Sequence, residues 1–155
     1  PKGYVPLLEL DDGQRLSEGP AIVQYIADQA PASGLAPAAG TMARYRLIEW
    51  LNFISTELHK GFSPLFNPAM VEDAKPIFRA RLVDRFKYVN ERLEGKAYLS
   101  GDTFTVADGY LFTVTNWCQY VGVDISGFAH LGAFMARVAA RPAVQAAMKA
   151  EGLLK

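Results

Sequence analysis

Two rhythms of apolar and polar positions run along this chain. Near its start the spacing is that of strands: Val5 to Leu10 reads as a short strand. Asp11-Asp12-Gly13 is a hairpin turn in which Gly13 supplies a positive φ, and Gln14 to Leu16 forms a second, very short strand. Ser17-Glu18-Gly19-Pro20 then opens a helix. Proline is tolerated in a first helical turn, where its missing N–H would have lacked a partner anyway. The spacing predicts a helix over about Pro20 to Gln29, with Ile22, Tyr25 and Ile26 on its apolar stripe, ending before Pro31. Residues 30–40, rich in Ala, Pro, Gly and Ser, read as a connector at a domain boundary.

Beyond residue 40 the period is helical throughout. A first long helix is expected from about Thr41 to Phe62, stopped by Gly61 and Pro64, and a second from about Glu72 to Leu93. The second carries Phe78, Leu82, Phe86, Val89 and Leu93 at spacings of three and four. Thr105-Val106-Ala107-Asp108 fits a capping box, in which the threonine oxygen accepts from a backbone N–H of the first turn and the aspartate reaches back. The helix it starts is apolar on nearly every side (Val106, Tyr110, Leu111, Phe112, Val114, Trp117, Cys118, Val121) and belongs at the buried centre of a bundle. Two shorter helices, about Phe128–Ala140 and Pro142–Ala150, finish the chain. A two-stranded hairpin is marginal alone in water, so the strand-strand-helix start reads as the second half of a sheet whose first half is absent.

Composition narrows the function classes. Among 155 residues, 16 basic side chains balance 16 acidic ones, which removes the broad positive footprint of a nucleic-acid or anionic-membrane binder. Half the residues are apolar, enough for a sizeable core. Cys118 is the single cysteine, so no internal disulfide framework exists and a reducing compartment, the cytoplasm, is expected. No apolar run reaches the roughly 18 residues of a membrane span.

Candidate chemistry concentrates in three places. On the first long helix Leu47, Leu51, Ile54 and Leu58 form a core stripe, flanked by a polar stripe of Asn52, Thr56 and His59 shared with Tyr45. A polar line beside a core line suits the wall of a cleft between domains, and it also fits an ordinary solvated face. At Gly19 the helix start offers free N–H groups and a partial positive charge to an anion, while Glu18 could accept from an ammonium. An amino-acid ligand would suit the pair, although Ser17 or Glu18 could equally cap the helix itself. Val5-Pro6 heads the first strand, where a proline needs no ladder partner. His59 and His130 with one cysteine give no metal-ligand spacing, and no metal is expected. Cys118 lies among apolar neighbours, which raise a thiol's pKa and make it a poor nucleophile.

These elements and motifs resemble a known family. Val-Pro before a strand, Ser-Glu-Gly-Pro-Ala-Ile-Val-Gln-Tyr-Ile-Ala-Asp, Ile-Glu-Trp-Leu-Asn-Phe-Ile-Ser-Thr-Glu-Leu-His-Lys-Gly-Phe and Phe-Thr-Val-Ala-Asp-Gly-Tyr-Leu-Phe look like the bacterial, beta-class glutathione S-transferases. The Glu-Leu-His-Lys-Gly-Phe run is the more specific; the Thr-Val-Ala-Asp box is shared by transferases of this fold generally. The resemblance implies an α+β part joined to an all-α part. Residues 1–33 would be the C-terminal β-β-α of a thioredoxin-like, glutathione-binding domain, 34–40 a linker, and 41–155 the all-helical C-terminal bundle. The opening β-α-β of that domain, roughly 45–50 residues, has no counterpart here, nor has the cysteine it carries beside the glutathione sulfur; Cys118 does not match it.

Residue by residue, the resemblance implies that the Val5 backbone pairs with the cysteinyl unit of glutathione and that Pro6 is the cis-proline shaping that loop. Glu18 and Gly19 would hold the γ-glutamyl end; many relatives have Ser or Thr where Gly19 stands, and that hydroxyl is lacking. Asn52 and the Thr56-Glu57-Leu58-His59 stretch resemble positions that reach glutathione, some across a dimer interface. His59 and Lys60 resemble polar residues beside the electrophile, with His59 as the catalytic candidate. The implied function is conjugation of the glutathione thiolate to hydrophobic electrophiles in detoxification, by a cytoplasmic homodimer with glutathione as co-substrate and no partner nucleic acid or membrane. Two alternatives stand beside it: a glutathione-dependent thiol reductase of the same fold, and a non-catalytic module that holds hydrophobic ligands.

Overall fold

The computed structural model describes residues 2–154. Strand β1 (Leu7–Glu9) pairs antiparallel with β2 (Arg15–Ser17), Leu8 lying opposite Leu16. Gly13 has φ 82°, its N–H donates to the Leu10 carbonyl, and Asp12 Oδ1 accepts from Gln14 N–H, so the Asp-Asp-Gly turn closes as the sequence predicts. Strand β1 is shorter than expected, and β2 is shifted one residue along the chain. Tyr4 and Val5 remain 77% and 91% exposed outside the ladder, and Pro6 has no N–H to contribute to it. The Val5–Pro6 peptide bond is cis.

Helix α1 (Gly19–Gln29) buries Ile22 and Ala27. The connector is not slack: it contains a short 3₁₀ turn (Pro31–Ser33), and Leu35 C=O accepts from Val106 N–H at 3.0 Å. Arg44, only 7% exposed, donates from Nε to Pro37 C=O and from its terminal nitrogens to the Asp28 carboxylate. Its fork thereby ties α1 and the connector to the bundle. Arg44 also holds the Asp28 carboxyl below the usual carboxylate range.

The first long helix departs from expectation in two ways. It runs as α2 (Met42–Phe53), a π-helical segment (Ile54–His59) and α3 (Lys60–Phe66), and neither Gly61 nor Pro64 stops it. Gly61 is a close approach rather than a breaker. A Cβ there would lie 2.9 Å from Leu82 Cδ2, so the missing side chain lets α3 sit tightly on α4 (Lys75–Arg92). Pro64 lies inside α3, where its missing N–H removes one bond of the ladder without ending the helix. In the π segment Lys60 N–H donates to Ser55 C=O, five residues back, and Thr56 Oγ1 donates to Asn52 C=O.

Helix α5 (Val106–Thr115) occupies the bundle centre and buries Ala107, Asp108, Leu111, Phe112, Val114 and Thr115. It does not continue to Val121 as one rod. Asn116 Nδ2 donates to Phe112 C=O and Trp117 N–H to Val114 C=O, tightening the chain before a short α6 (Cys118–Val121). The core joins Leu47, Leu51, Ile54, Leu58 and Phe62 to Leu82, Phe86 and Val89 of α4, and to Leu131, Phe134 and Val138 of α7 (Ala129–Ala139). His130 is a helix-start residue: its N–H and that of Leu131 donate to Asn90 Oδ1 on α4. Helix α8 (Pro142–Ala150) packs on α7. No helix among the described residues is long and apolar enough to cross a membrane.

Candidate functional site

The start of α1 faces the head of β1. A Cβ on Gly19 would lie 3.8 Å from Pro6 Cγ, which brings the Val5-Pro6 and Glu18-Gly19 pairs together. Glu18 C=O accepts from Ala21 and Ile22 N–H, and Pro20 has no N–H. Gly19 N–H has no protein acceptor among the described residues, so it can serve an incoming anion. Glu18 has φ 73°, a backbone conformation unusual outside glycine and one that collects at ligand sites. Its side chain does not cap α1. It accepts from Lys2 Nζ at 2.9 Å, and that ammonium holds the Glu18 carboxyl below the ordinary range. The carboxylate is therefore already placed to hold an ammonium group.

The Glu18 charge reaches the Tyr110 hydroxyl of α5, and that hydroxyl is the partner of His59, at the end of the π segment. Its Nδ1 lies 2.7 Å from the Tyr110 hydroxyl of α5, and its ring meets Trp117 edge-on at 4.7 Å. Trp117 takes that place because the chain turns between α5 and α6. His59, Phe62, Ser63, Phe66, Asn67 and Trp117 line an open cleft of about 480 Å³. Phe62 and Phe66 both pack edge-on against Trp117, so the walls are aromatic and the polar groups few, as suits a flat apolar ligand with one reactive centre. Partial burial, then the neighbouring Lys60 charge, push His59 below its ordinary pKa of 6.5, so the ring is neutral at pH 7.

A measurable consequence follows from the Trp117 contact. A protonated imidazole quenches indole emission, so Trp117 fluorescence should fall on acidification with a midpoint below 6.5, read in a Trp50→Phe background. His59→Gln should abolish the transition; a midpoint above 6.5 would contradict the lowered His59 pKa.

The sequence-derived stripe is only partly one site. Asn52 and Thr56 are exposed on the face that leads to His59, and Lys60 is exposed beside it. Two residues that the resemblance adds, Leu58 and Glu57, separate from the stripe. Leu58 is wholly buried in the core and its side chain lines neither cleft, whereas the resemblance puts it in the stretch that reaches glutathione. Glu57 turns to α4, where Arg85 Nε donates to it at 2.7 Å and Arg81 approaches at 3.5 Å. There it lines a second cleft, with Phe53, Arg85 and Tyr88, that shares no residue with the cleft at His59. Those guanidinium groups hold its carboxyl below the usual range.

Sequence reasoning missed Tyr110 and Trp117 as site residues, counting both as core, and missed Phe66. An apolar helix with a hydroxyl on one ring was the available signal. Burial pushes the Cys118 thiol up to about 12, in keeping with an inert core residue. Among the described residues no group of acidic, histidine and cysteine side chains could hold a metal ion.

Residues 53–142 match the family description "Glutathione S-transferase, C-terminal domain". Glutathione S-transferase GstA of Escherichia coli O157:H7 is 52% identical over 99% of this chain and 76% of its own length. Among solved structures, a bacterial glutathione transferase described as a ternary complex of BphK is 56% identical with a TM-score of 0.94, over 97% of this chain and 75% of that one. A sphingomonad glutathione S-transferase complexed with glutathione is 47% identical with a TM-score of 0.93, over 98% and 76%.

Proposed function

The chain belongs to the glutathione S-transferases, and from that premise we propose that it seats glutathione between β1, the start of α1 and the face ending at His59. The γ-glutamyl carboxylate takes the free Gly19 N–H, its ammonium takes Glu18 in place of Lys2, and the Val5 backbone pairs with the cysteinyl unit. The observation that carries this reading is the Gly19 N–H beside a carboxylate already holding an ammonium, in one notch with Val5-Pro6. A solved relative, the sphingomonad enzyme, is complexed with glutathione.

In the transfer, the thiolate sulfur attacks an electrophilic carbon lying against Phe66 and Trp117, which Phe62 backs from the core. A carbon–sulfur bond forms, the bond to the leaving group breaks, and the leaving group departs with its electron pair. His59 and Lys60 sit where negative charge develops and can stabilise it. The aromatic walls favour hydrophobic electrophiles. Glu57 faces a cleft other than its own His59's, so the part the resemblance gives it is filled from a second subunit. On this reading the protein is a cytoplasmic homodimer, which is supported by the Trp50, Phe53 and Tyr88 rings gathered near that second cleft.

Isothermal titration of the chain with glutathione tests the seat. Saturable heat is expected for the wild type, and Glu18→Gln should weaken binding by about tenfold, the equivalent of one charged hydrogen bond. Absence of heat from a chain with full helical circular dichroism would favour a module that holds apolar ligands without transferring glutathione.

A further inference from the structure

The cleft at His59 has one polar partnership whose direction decides what the imidazole can offer. Tyr110 Oη and His59 Nδ1 are 2.7 Å apart, a full hydrogen bond, and the two rings stand at 72° to one another. One of the two groups must donate. The tyrosine comes from α5, the most deeply buried helix. The π segment ends at His59, so its widened turn sets where the imidazole meets the Tyr110 oxygen.

We propose that Tyr110 is a positioning residue for the transfer: its O–H donates to His59 Nδ1, fixing the imidazole as the Nε2–H tautomer and aiming that N–H into the cleft bounded by Phe62, Phe66 and Trp117. Protonation states support the direction. Burial, outweighing Ser55, and a further contribution from the Glu18 charge keep the Tyr110 hydroxyl protonated beyond the ordinary tyrosine range. His59 is neutral, so Nδ1 can accept. The charged groups facing this pair are Lys60 on the same element and Glu18 at the start of α1. From α4, Arg81 and Arg85 are engaged by Glu57. A neutral imidazole with its acceptor nitrogen occupied has one thing left to give, a hydrogen bond from Nε2. That suits a sulfur or a leaving group gaining negative charge, whereas the other tautomer would present a lone pair to it. The catalytic meaning of this arrangement rests on the transferase reading above; the tautomer does not.

Nitrogen-15 NMR of the chain labelled at histidine separates the two. In the wild type at neutral pH, His59 should show a protonated Nε2 and an acceptor-type Nδ1, and the Tyr110 hydroxyl proton should correlate with that Nδ1. In Tyr110→Phe a population with Nδ1–H should appear. A predominantly Nδ1–H ring in the wild type, or a tautomer ratio that Tyr110→Phe leaves unchanged, would overturn the proposal whatever the activity. In parallel, Tyr110→Phe should lower kcat about fivefold, the rate equivalent of one net hydrogen bond, with little change in KM for glutathione. Tyr110→Phe turning over at the wild-type rate would also overturn the positioning role. Correct tautomers in an enzyme with no transfer activity at all would instead refute the transferase reading and leave the geometry intact. His130, held at the start of α7 by its backbone, serves as the internal reference ring.

Discussion

Asp108→Ala is expected to lower unfolding stability by about 4 kcal/mol and the melting temperature by about 10 °C. Asp108 is fully buried and accepts three hydrogen bonds at 2.8 Å: from Leu99 N–H through Oδ1, and from Thr105 N–H and Thr105 Oγ1 through Oδ2. Leu99 and Thr105 are themselves buried, so truncation leaves two backbone N–H groups without a partner and without water, each worth about 1–3 kcal/mol. The loop at Leu99 would come free of the first turn of α5 at the same time, and α5 is the bundle's centre. Burial outweighs these hydrogen bonds and raises the Asp108 pKa. A raised folded-state value means that acidification toward 3.8 does not remove stability through this group, so the penalty of the substitution should persist into mildly acid solution. Asp108→Asn, which keeps one acceptor oxygen, should lose about half as much. Urea denaturation placing Asp108→Ala within 1 kcal/mol of the wild type would mean that the capping box is ornamental.

The second large effect concerns His59. His59→Ala is expected to reduce kcat for glutathione conjugation by about 10²-fold, the lower end of what a positioned proton donor contributes. The proposed mechanism gives His59 the developing charge and leaves the γ-glutamyl end to Glu18 and Gly19, so KM for glutathione should change by less than about threefold. Stability should hardly respond, because the ring is open to solvent on one edge and only its contacts with Tyr110 and Trp117 are lost. A variant with full turnover would remove His59 from the transfer step. One with normal kcat and a much larger KM would make it a binding residue instead. His59→Gln, which retains an N–H donor, should fall between the two.

How far the chain's own letters reach can be seen at particular residues. The Thr105–Asp108 box was legible because a capping box is a local device, complete within four residues. The hairpin turn at Gly13 was legible for the same reason. The core stripe Leu47, Leu51, Ile54, Leu58 was legible because helical period alone sets which residues share a face. The same period misled at Gly61, where a residue that breaks isolated helices serves as the flat spot on which Leu82 rests. It misled again between α5 and α6, because the turn at Asn116 is made by a side chain reaching back to a carbonyl rather than by a glycine or proline.

The site divides along the same line. Glu18 and Gly19 could be singled out because a helix start carries its chemistry in adjacent residues. His59 could be singled out as the end of a polar stripe, but its partners could not: Tyr110 and Trp117 come from sequence far downstream, and only packing of α5 against the π segment brings a phenol to Nδ1 and an indole to the ring face. Glu57 is the converse case, adjacent to the site in sequence and turned from it in space by two arginines of α4. Local hydrogen bonding and periodic burial were thus determined by the sequence by itself. Which nitrogen of His59 has a partner, and which residues share a cleft, was decided by the tertiary structure, because those contacts join elements whose approach depends on the whole core closing at once.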